Sequence, residues 1–386
     1  MATQTTRDTE GEVTAPSKDD EVPPPVTERS VPKPVFTDAE AGAREFPSST
    51  SRSYNYFTPA KRRATVYEDV TVDVQPDPER YLLQGWIYGF RDREGGYPVE
   101  WTKLRSANWH AFLDPNEEWE QTIYRNNANV VRQISQNLSN AKAARAFDGW
   151  NRGWIKTVER HVGAWAHVEH GIGMHVYLPA QRDAPTNMIN NALSVASAHK
   201  LRFGQDLILY NLDLTDSVEG FDGEAHKDAW TKDPIWQGVR ENVEGITAIR
   251  DWAEAFFVAA VIFEPLVGEL FRSEFIMQAA APQGDFVTPT LMGAGEADTA
   301  RDARVARRLF SMLANDEQHG EHNRKTMDGW LREWTPRSIA AGRAMQPIWS
   351  QPGEKVIRFE ESLEHSRGRF EEILADFNLN AKELDT

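Results

Sequence analysis

From Asp114 onward, apolar positions recur every three to four residues, the spacing of one helix face. The segment Asp114-Pro115-Asn116-Glu117-Glu118 predicts a helix start, with Asp as cap, Pro at the first position and carboxylates in the first turn. That helix is expected to run to about Arg145, with Trp119, Ile123, Val130, Ile134 and Leu138 facing inward. A second runs from after Asp148 to about Tyr177, stopped by Leu178-Pro179. Asp183-Ala184-Pro185-Thr186 opens a third, to about Asp216. A short helix around His226–Trp230 follows, and Asp233-Pro234 opens another. From Glu244 to about Ala280 the chain is apolar around most of its circumference, as in a central helix, with a kink expected at Pro265. Arg301–Trp334 reads as one long helix stopped by Thr335-Pro336, and shorter helices near Ser338–Trp349 and Glu354–Phe377 close the chain.

Before Asp114 the pattern differs. Residues 1–60 are rich in Thr, Pro, Ser, Asp and Glu, with few large aliphatics, so they cannot bury enough apolar area to offset their ordering entropy. An extended or disordered arm is expected there, with Phe36, Phe46, Tyr54, Tyr56 and Phe57 as candidate anchors on another chain. Residues 61–113 form a connecting segment without helical period. Val66, Tyr67, Val70, Val72 and Val74 alternate weakly and suggest a short extended piece or hairpin. The stretch from Trp86 to Trp109 is dense in aromatics and Arg, the composition of a protein interface. Trp86, Phe90, Arg91, Asp92, Tyr97, Trp101 and Trp109 are its interface candidates. The expected organisation is thus an arm at 1–60, the aromatic connector at 61–113 and an all-α bundle at 114–386.

Composition narrows the function. With 386 residues, 40% apolar and 13 Trp, a large core is available. The absence of Cys excludes disulfides, zinc-thiolate sites, Cys nucleophiles and Cys-ligated iron–sulfur clusters, and fits a cytoplasmic protein. A net charge of −16 argues against non-specific nucleic-acid binding. No apolar run reaches the ~18 residues of a membrane span. Phosphate loops, dinucleotide fingerprints and GxSxG elbows are missing.

The chemistry-bearing pattern is Asp316-x-x-His319, two metal-capable groups sharing one helix face. Ferritin-like di-iron bundles need Glu-x-x-His on each of two helices and a Glu on each of two more. None of the ten His in this chain has Glu three residues before it. Asp316 and His319 therefore read as a degenerate position, a polar layer in the bundle. His167, His170 and His175 beside Glu169 read as polar packing. Glu254, Glu264, Glu269 and Glu274 sit on the most apolar helix and must reach solvent, pair with an Arg such as Arg272, or meet another subunit.

Trp86-x-x-x-Phe90-Arg91-Asp92 with Tyr97 downstream, followed by this bundle, resembles the β (small) subunits of bacterial multicomponent di-iron monooxygenases, most closely the actinobacterial propane monooxygenase group. The resemblance covers about 75–386. It implies a ferritin-like, ribonucleotide-reductase-like fold and an α2β2-type hydroxylase whose α subunit holds the di-iron centre. It also implies a coupling protein and a reductase drawing electrons from NADH. The family's metal ligands do not carry over, so no catalytic, cofactor or metal residue is expected in this chain. An independent metal-binding helical oxidase and a stand-alone helical binding protein are the alternatives.

Overall fold

The computed structural model describes residues 64–72, 74 and 101–381. The N-terminal arm and Trp86, Phe90, Arg91, Asp92 and Tyr97 lie outside the described residues. Nine helical rods and no strand make up the described chain, so the all-α expectation holds. They are α1 (Glu120–Ala143), α2 (152–183), α3 (Asn187–Ser217), α4 (Ala225–Lys232), α5 (Pro234–Thr247), α6 (252–279), α7 (Thr288–Ala314), α8 (Gly320–Ala344) and α9 (Phe359–Ala375). No described helix is long and apolar enough to cross a membrane.

α6 is the axis of the bundle. Its stretch Trp252–Ile276 is buried almost without interruption, including Phe256, Phe257, Ile262, Phe263, Leu266 and Phe271. α2, α7, α8 and α9 pack on it, and α3 lies along α2 and against α7. Two rods contain π-helical turns. α2 widens at Val158–Val162 and Gly173–Tyr177, and α6 at Val258–Glu269 and Arg272–Ile276. Such turns are concentrated at functional or strained stretches, and these flank the charged residues described below.

Local chemistry overrides several expected boundaries. The weak alternation is helical, not extended, over Val66–Val72: Thr65 and Glu68 cap each other (Glu68 N–H to Thr65 Oγ1, 3.1 Å; Thr65 N–H to Glu68 Oε2, 2.7 Å), and a π-turn follows at Glu68–Val72. Asp114 caps only a turn, accepting from the N–H of Asn116 (2.8 Å) and Glu118 (3.2 Å). Glu117 then enters left-handed backbone, φ 50°, which breaks the helix, and α1 starts at Glu120.

Pro179 does not stop α2. The π-turn just before it opens the groove that its ring would otherwise clash with, and α2 continues to Asp183. The stretch expected as one helix from Glu244 breaks at 248–251, where Asp251 caps α6 through the N–H of Ala253 and Glu254. Pro336 sits inside α8 on its exposed side, where water can satisfy the carbonyl it leaves free, so the helix runs to Ala344 and absorbs most of the segment expected as a separate helix at 338–349. The largest correction is at 315–319, where the single long helix of Arg301–Trp334 is two, α7 and α8.

Candidate functional site: a carboxylate core closed by cations

At the expected site the structure builds a joint. The Asp316 carboxylate accepts from the N–H of Gln318 and His319 (both 2.9 Å), from Ala107 N–H (2.8 Å) and from Ser106 Oγ (3.3 Å). Its little burial works against the charge, and these hydrogen bonds outweigh that, holding the carboxyl below its usual range. Asp316 thus opens α8 and ties it to residues 101–109. His319 turns into a shallow surface pocket beside His322 and Trp109. Trp109 is buried against Trp252, ring centroids 5.9 Å apart, and so lies within the chain, whereas Trp101 packs only half-buried on the core.

The histidines of α2 do not converge on a carboxylate. His167 Nε2 meets His226 Nδ1 at 3.0 Å and stacks on Trp230, while His170 and His175 are exposed. Burial, with His226, His170 and Lys227 nearby, pushes the His167 pKa down to about 4. Glu169, between them in sequence, points the other way, into the bundle.

There the fold assembles a deeply buried charge cluster. Glu169 from α2, Lys200 from α3, Glu264 and Arg272 from α6, and Glu296 and Thr299 from α7 meet at the bundle centre. Lys200 Nζ lies 3.0 Å from Glu264 Oε1 and 3.2 Å from Glu169 Oε2. The Arg272 guanidinium reaches three carboxylates: Glu264 at 2.5 Å, Glu296 at 2.6 Å and Glu169 at 3.3 Å. It also lies over the Trp165 ring, 5.2 Å from the centroid, and Trp165 Nε1–H donates to Glu169 Oε1 at 2.6 Å. Exposure is 0% for Arg272, 1% for Glu169 and 4% for Lys200, so water cannot share this charge.

Burial opposes ionisation of Glu264, yet Arg272 and Lys200 overcome it and hold its carboxyl at about 2. Burial pushes Glu169 up, and Lys200 and Arg272 pull back only part of that rise. Lys200 is raised despite its burial, because Glu169 and Glu264 surround it.

Gly268 makes this geometry possible. It lies one turn from both Glu264 and Arg272, and a Cβ there would meet Glu264 Oε2 at 2.7 Å and Arg272 Nη1 at 2.9 Å. Gly268→Ala should therefore cost about 1–3 kcal/mol by forcing the pair apart, read as a lower urea midpoint at unchanged slope. An unchanged midpoint would mean the pair relaxes freely.

A second charged layer lies between α3, α7 and the loop at 114–118. His199 Nδ1 bonds Asp302 Oδ1 at 2.8 Å, and its Nε2 lies 3.8 Å from Glu118 and 3.9 Å from Asp298. Arg202 pairs with Asp206 and Asp298, and Arg301 with Glu118 (3.2 Å) and Asp298. Burial raises the Glu118 carboxyl, with His199 and Arg301 opposing.

The donors at the bundle centre do not fit a dinuclear iron site. They include no His, and an ammonium and a guanidinium stand among the carboxylates where metal cations would have to be. Among the described residues no three or more His, Cys, Asp or Glu side chains converge in a metal-holding arrangement. Sequence reading paired Glu264 with Arg272 in principle but missed Lys200, whose neighbours Leu201, Arg202 and Phe203 mark no depth along α3.

Comparison with known proteins agrees with this architecture. The sequence profile of the Methane/Phenol/Alkene Hydroxylase family matches residues 86–317. The chain is 60% identical to the propane 2-monooxygenase hydroxylase small subunit of Gordonia sp. (strain TY-5), over 92% of this chain and 97% of that one. It is 56% identical to the same-named subunit of Rhodococcus jostii, over 93% and 98%. The fold matches phenol hydroxylase from Pseudomonas sp. OX1 with a TM-score of 0.70 at 20% identity, covering 83% of this chain and 92% of that one. Fold and sequence relatives together thus define a ferritin-like helical subunit of a multicomponent monooxygenase hydroxylase. The chain belongs to the Methane/Phenol/Alkene Hydroxylase family, and within it to the hydroxylase small subunits.

Proposed function

We propose that this chain is the non-catalytic small subunit of a propane-oxidising hydroxylase. It scaffolds a large (α) subunit that carries the di-iron centre, in an α2β2-type assembly served by a coupling protein and an NADH reductase. The propane assignment rests on the names of the relatives that match nearly its whole length. The non-catalytic role rests on one observation: Lys200 and Arg272 supply the positive charge that the central carboxylates need, leaving no ligand set for iron. A cytoplasmic location accords with the absence of cysteine, and the acidic surface accords with protein rather than nucleic-acid partners. Trp86, Phe90, Arg91, Asp92, Tyr97 and Trp101 are proposed contacts for the large subunit, on their aromatic and Arg-rich composition.

Co-expression of the full chain with its large subunit, then iron determination and an NADH-dependent propane assay, tests this reading. The chain alone should hold substoichiometric iron and no activity, and the complex should hold both. Arg91→Ala should lower recovery of the complex more than it lowers thermal stability. Stoichiometric iron that survives chelation in the isolated chain would point instead to an independent metal enzyme.

A further inference from the structure

α1 is the helix that the fold supports least. Of its 24 residues only Leu138 and Ala141 are buried. Tyr124 is 66% exposed and Val131 42%, and their seven-residue spacing sets them on one face, two turns apart. Leu209 and Leu212 of α3 are also about half exposed. Asp213, on the same side of α3 as Leu209, bonds Lys142 Nζ at 2.6 Å and so anchors this pair beside the end of α1. Only Glu120, Arg125, Arg132 and Lys142 are charged along α1, and most of its other polar residues are Asn and Gln. Free helix surfaces favour Lys and Glu, whereas an apolar strip among few charges is the mark of an interface.

A cleft of about 440 Å³ opens beside the first turns of α1, against α7. Arg125, Arg301 and Arg304 line it, with Asn126 at the side and Glu118 at the floor. Arg301 is committed to Glu118 and Asp298, and Arg304 Nε donates to Asn116 Oδ1 at 2.7 Å. Among the described residues the Arg125 guanidinium has no such bond. Within the lining three arginines stand against one carboxylate, an excess of positive charge confined to the cleft, because exposed Glu117 and Glu120 at its edge offset it outside.

We propose that α1 and this arginine-lined cleft seat an acidic, partly apolar segment of the large hydroxylase subunit. The proposal rests on the functional reading above. A second copy of this chain is the poorer occupant, because a two-fold contact centred on the cleft sets Arg125 and Arg304 against themselves. Two chains of −16 also repel. An acidic segment matches the cleft, and apolar side chains match Tyr124 and Val131.

The test uses full-length chains bound to the large subunit. One double variant is Tyr124→Asp with Val131→Asp, and the other is Arg125→Glu with Arg304→Glu. Phe286→Asp, at a residue 71% exposed outside α1 and the cleft, is the control. Each double variant should weaken binding roughly 30-fold or more, the loss expected at an interface hot spot. Melting of the isolated chain should not change, and the control should bind like the unaltered chain. Binding unchanged in both double variants overturns the proposal. So does a drop in the melting temperature of the isolated apolar variant, which would mean that the chain covers α1 with its own residues. Self-association of the unaltered chain that the variants abolish would make a second copy the occupant and overturn it as well. If the unaltered chain fails to bind the large subunit at all, the functional reading falls with it.

Discussion

Arg272→Met should destabilise the chain by about 3–5 kcal/mol, the usual cost of breaking a buried ionic cluster by removing one partner. The substitution keeps most of the side-chain volume but leaves Glu169 and Glu264 to share Lys200, and takes from Glu296 the cation it pairs with. On the order of 10 °C in melting temperature is the corresponding shift. Its size comes from desolvation more than from lost attraction. Three carboxylates converge on a guanidinium that is 0% exposed, and the two buried ones, Glu169 and Glu264, cannot recover water when it leaves. Arg337→Met is the matched control. Arg337 also stacks on a Trp ring (Trp334, 4.8 Å) and pairs with Glu333 at 3.2 Å, but both partners of that ion pair are about half exposed. It should change stability by at most about 1 kcal/mol. Adding Glu264→Gln to Arg272→Met should return part of the loss, because it removes one stranded charge. If the two substitutions add independently, the cluster does not act as a unit.

The second large effect separates two carboxylates that look alike in sequence. Glu264→Gln should cost about 3 kcal/mol at pH 7, the free-energy equivalent of a carboxyl lowered from 4.5 to about 2. Glu169→Gln should be near neutral or slightly stabilising there, because burial raises the Glu169 carboxyl and folding gains little from its charge. The amide oxygen can still accept from Trp165 Nε1–H, and Arg272 keeps Glu264 and Glu296.

The pH dependence has opposite signs at the two sites. Glu264 is lower in the folded chain than in the unfolded one. Its stabilisation is full above about 4.5 and fades as pH falls through about 2, so the Glu264→Gln deficit should shrink across that window. Glu169 is higher in the folded chain. Its favourable contribution is present below 4.5 and is lost as pH rises through its folded value, so any gain from Glu169→Gln belongs at pH 7 and should vanish in acid. Urea midpoints at pH 7 and pH 3 read both. Equal losses for the two variants at pH 7 would contradict this division of roles.

These effects concern a core whose composition was only partly legible in the sequence. The period of the apolar positions gave the helical class. Thr186 caps α3 and Asp233-Pro234 opens α5 where the pattern placed them, because caps and Pro act within one turn of chain. The missing Glu-x-x-His pattern was equally readable, since a ligand pair on one helix is a matter of spacing alone. The spacing within the Trp86–Tyr97 pattern carried the resemblance to the family.

Other features depend on contacts between distant segments. Asp316 can sit inside a helix or open one at similar local cost. The choice fell to Ala107 and Ser106, more than 200 residues away, which dock on its carboxylate and split the long helix in two. The π-turns of α2 and α6, which carry the chain past Pro179 and Pro265, are likewise set by packing against neighbouring rods. Lys200 reads as one more lysine on a mixed helix until α2, α6 and α7 enclose it. Burial depth is a property of the assembled bundle, and only at that depth does an ammonium ion become the counter-charge that Glu169 and Glu264 cannot find in water.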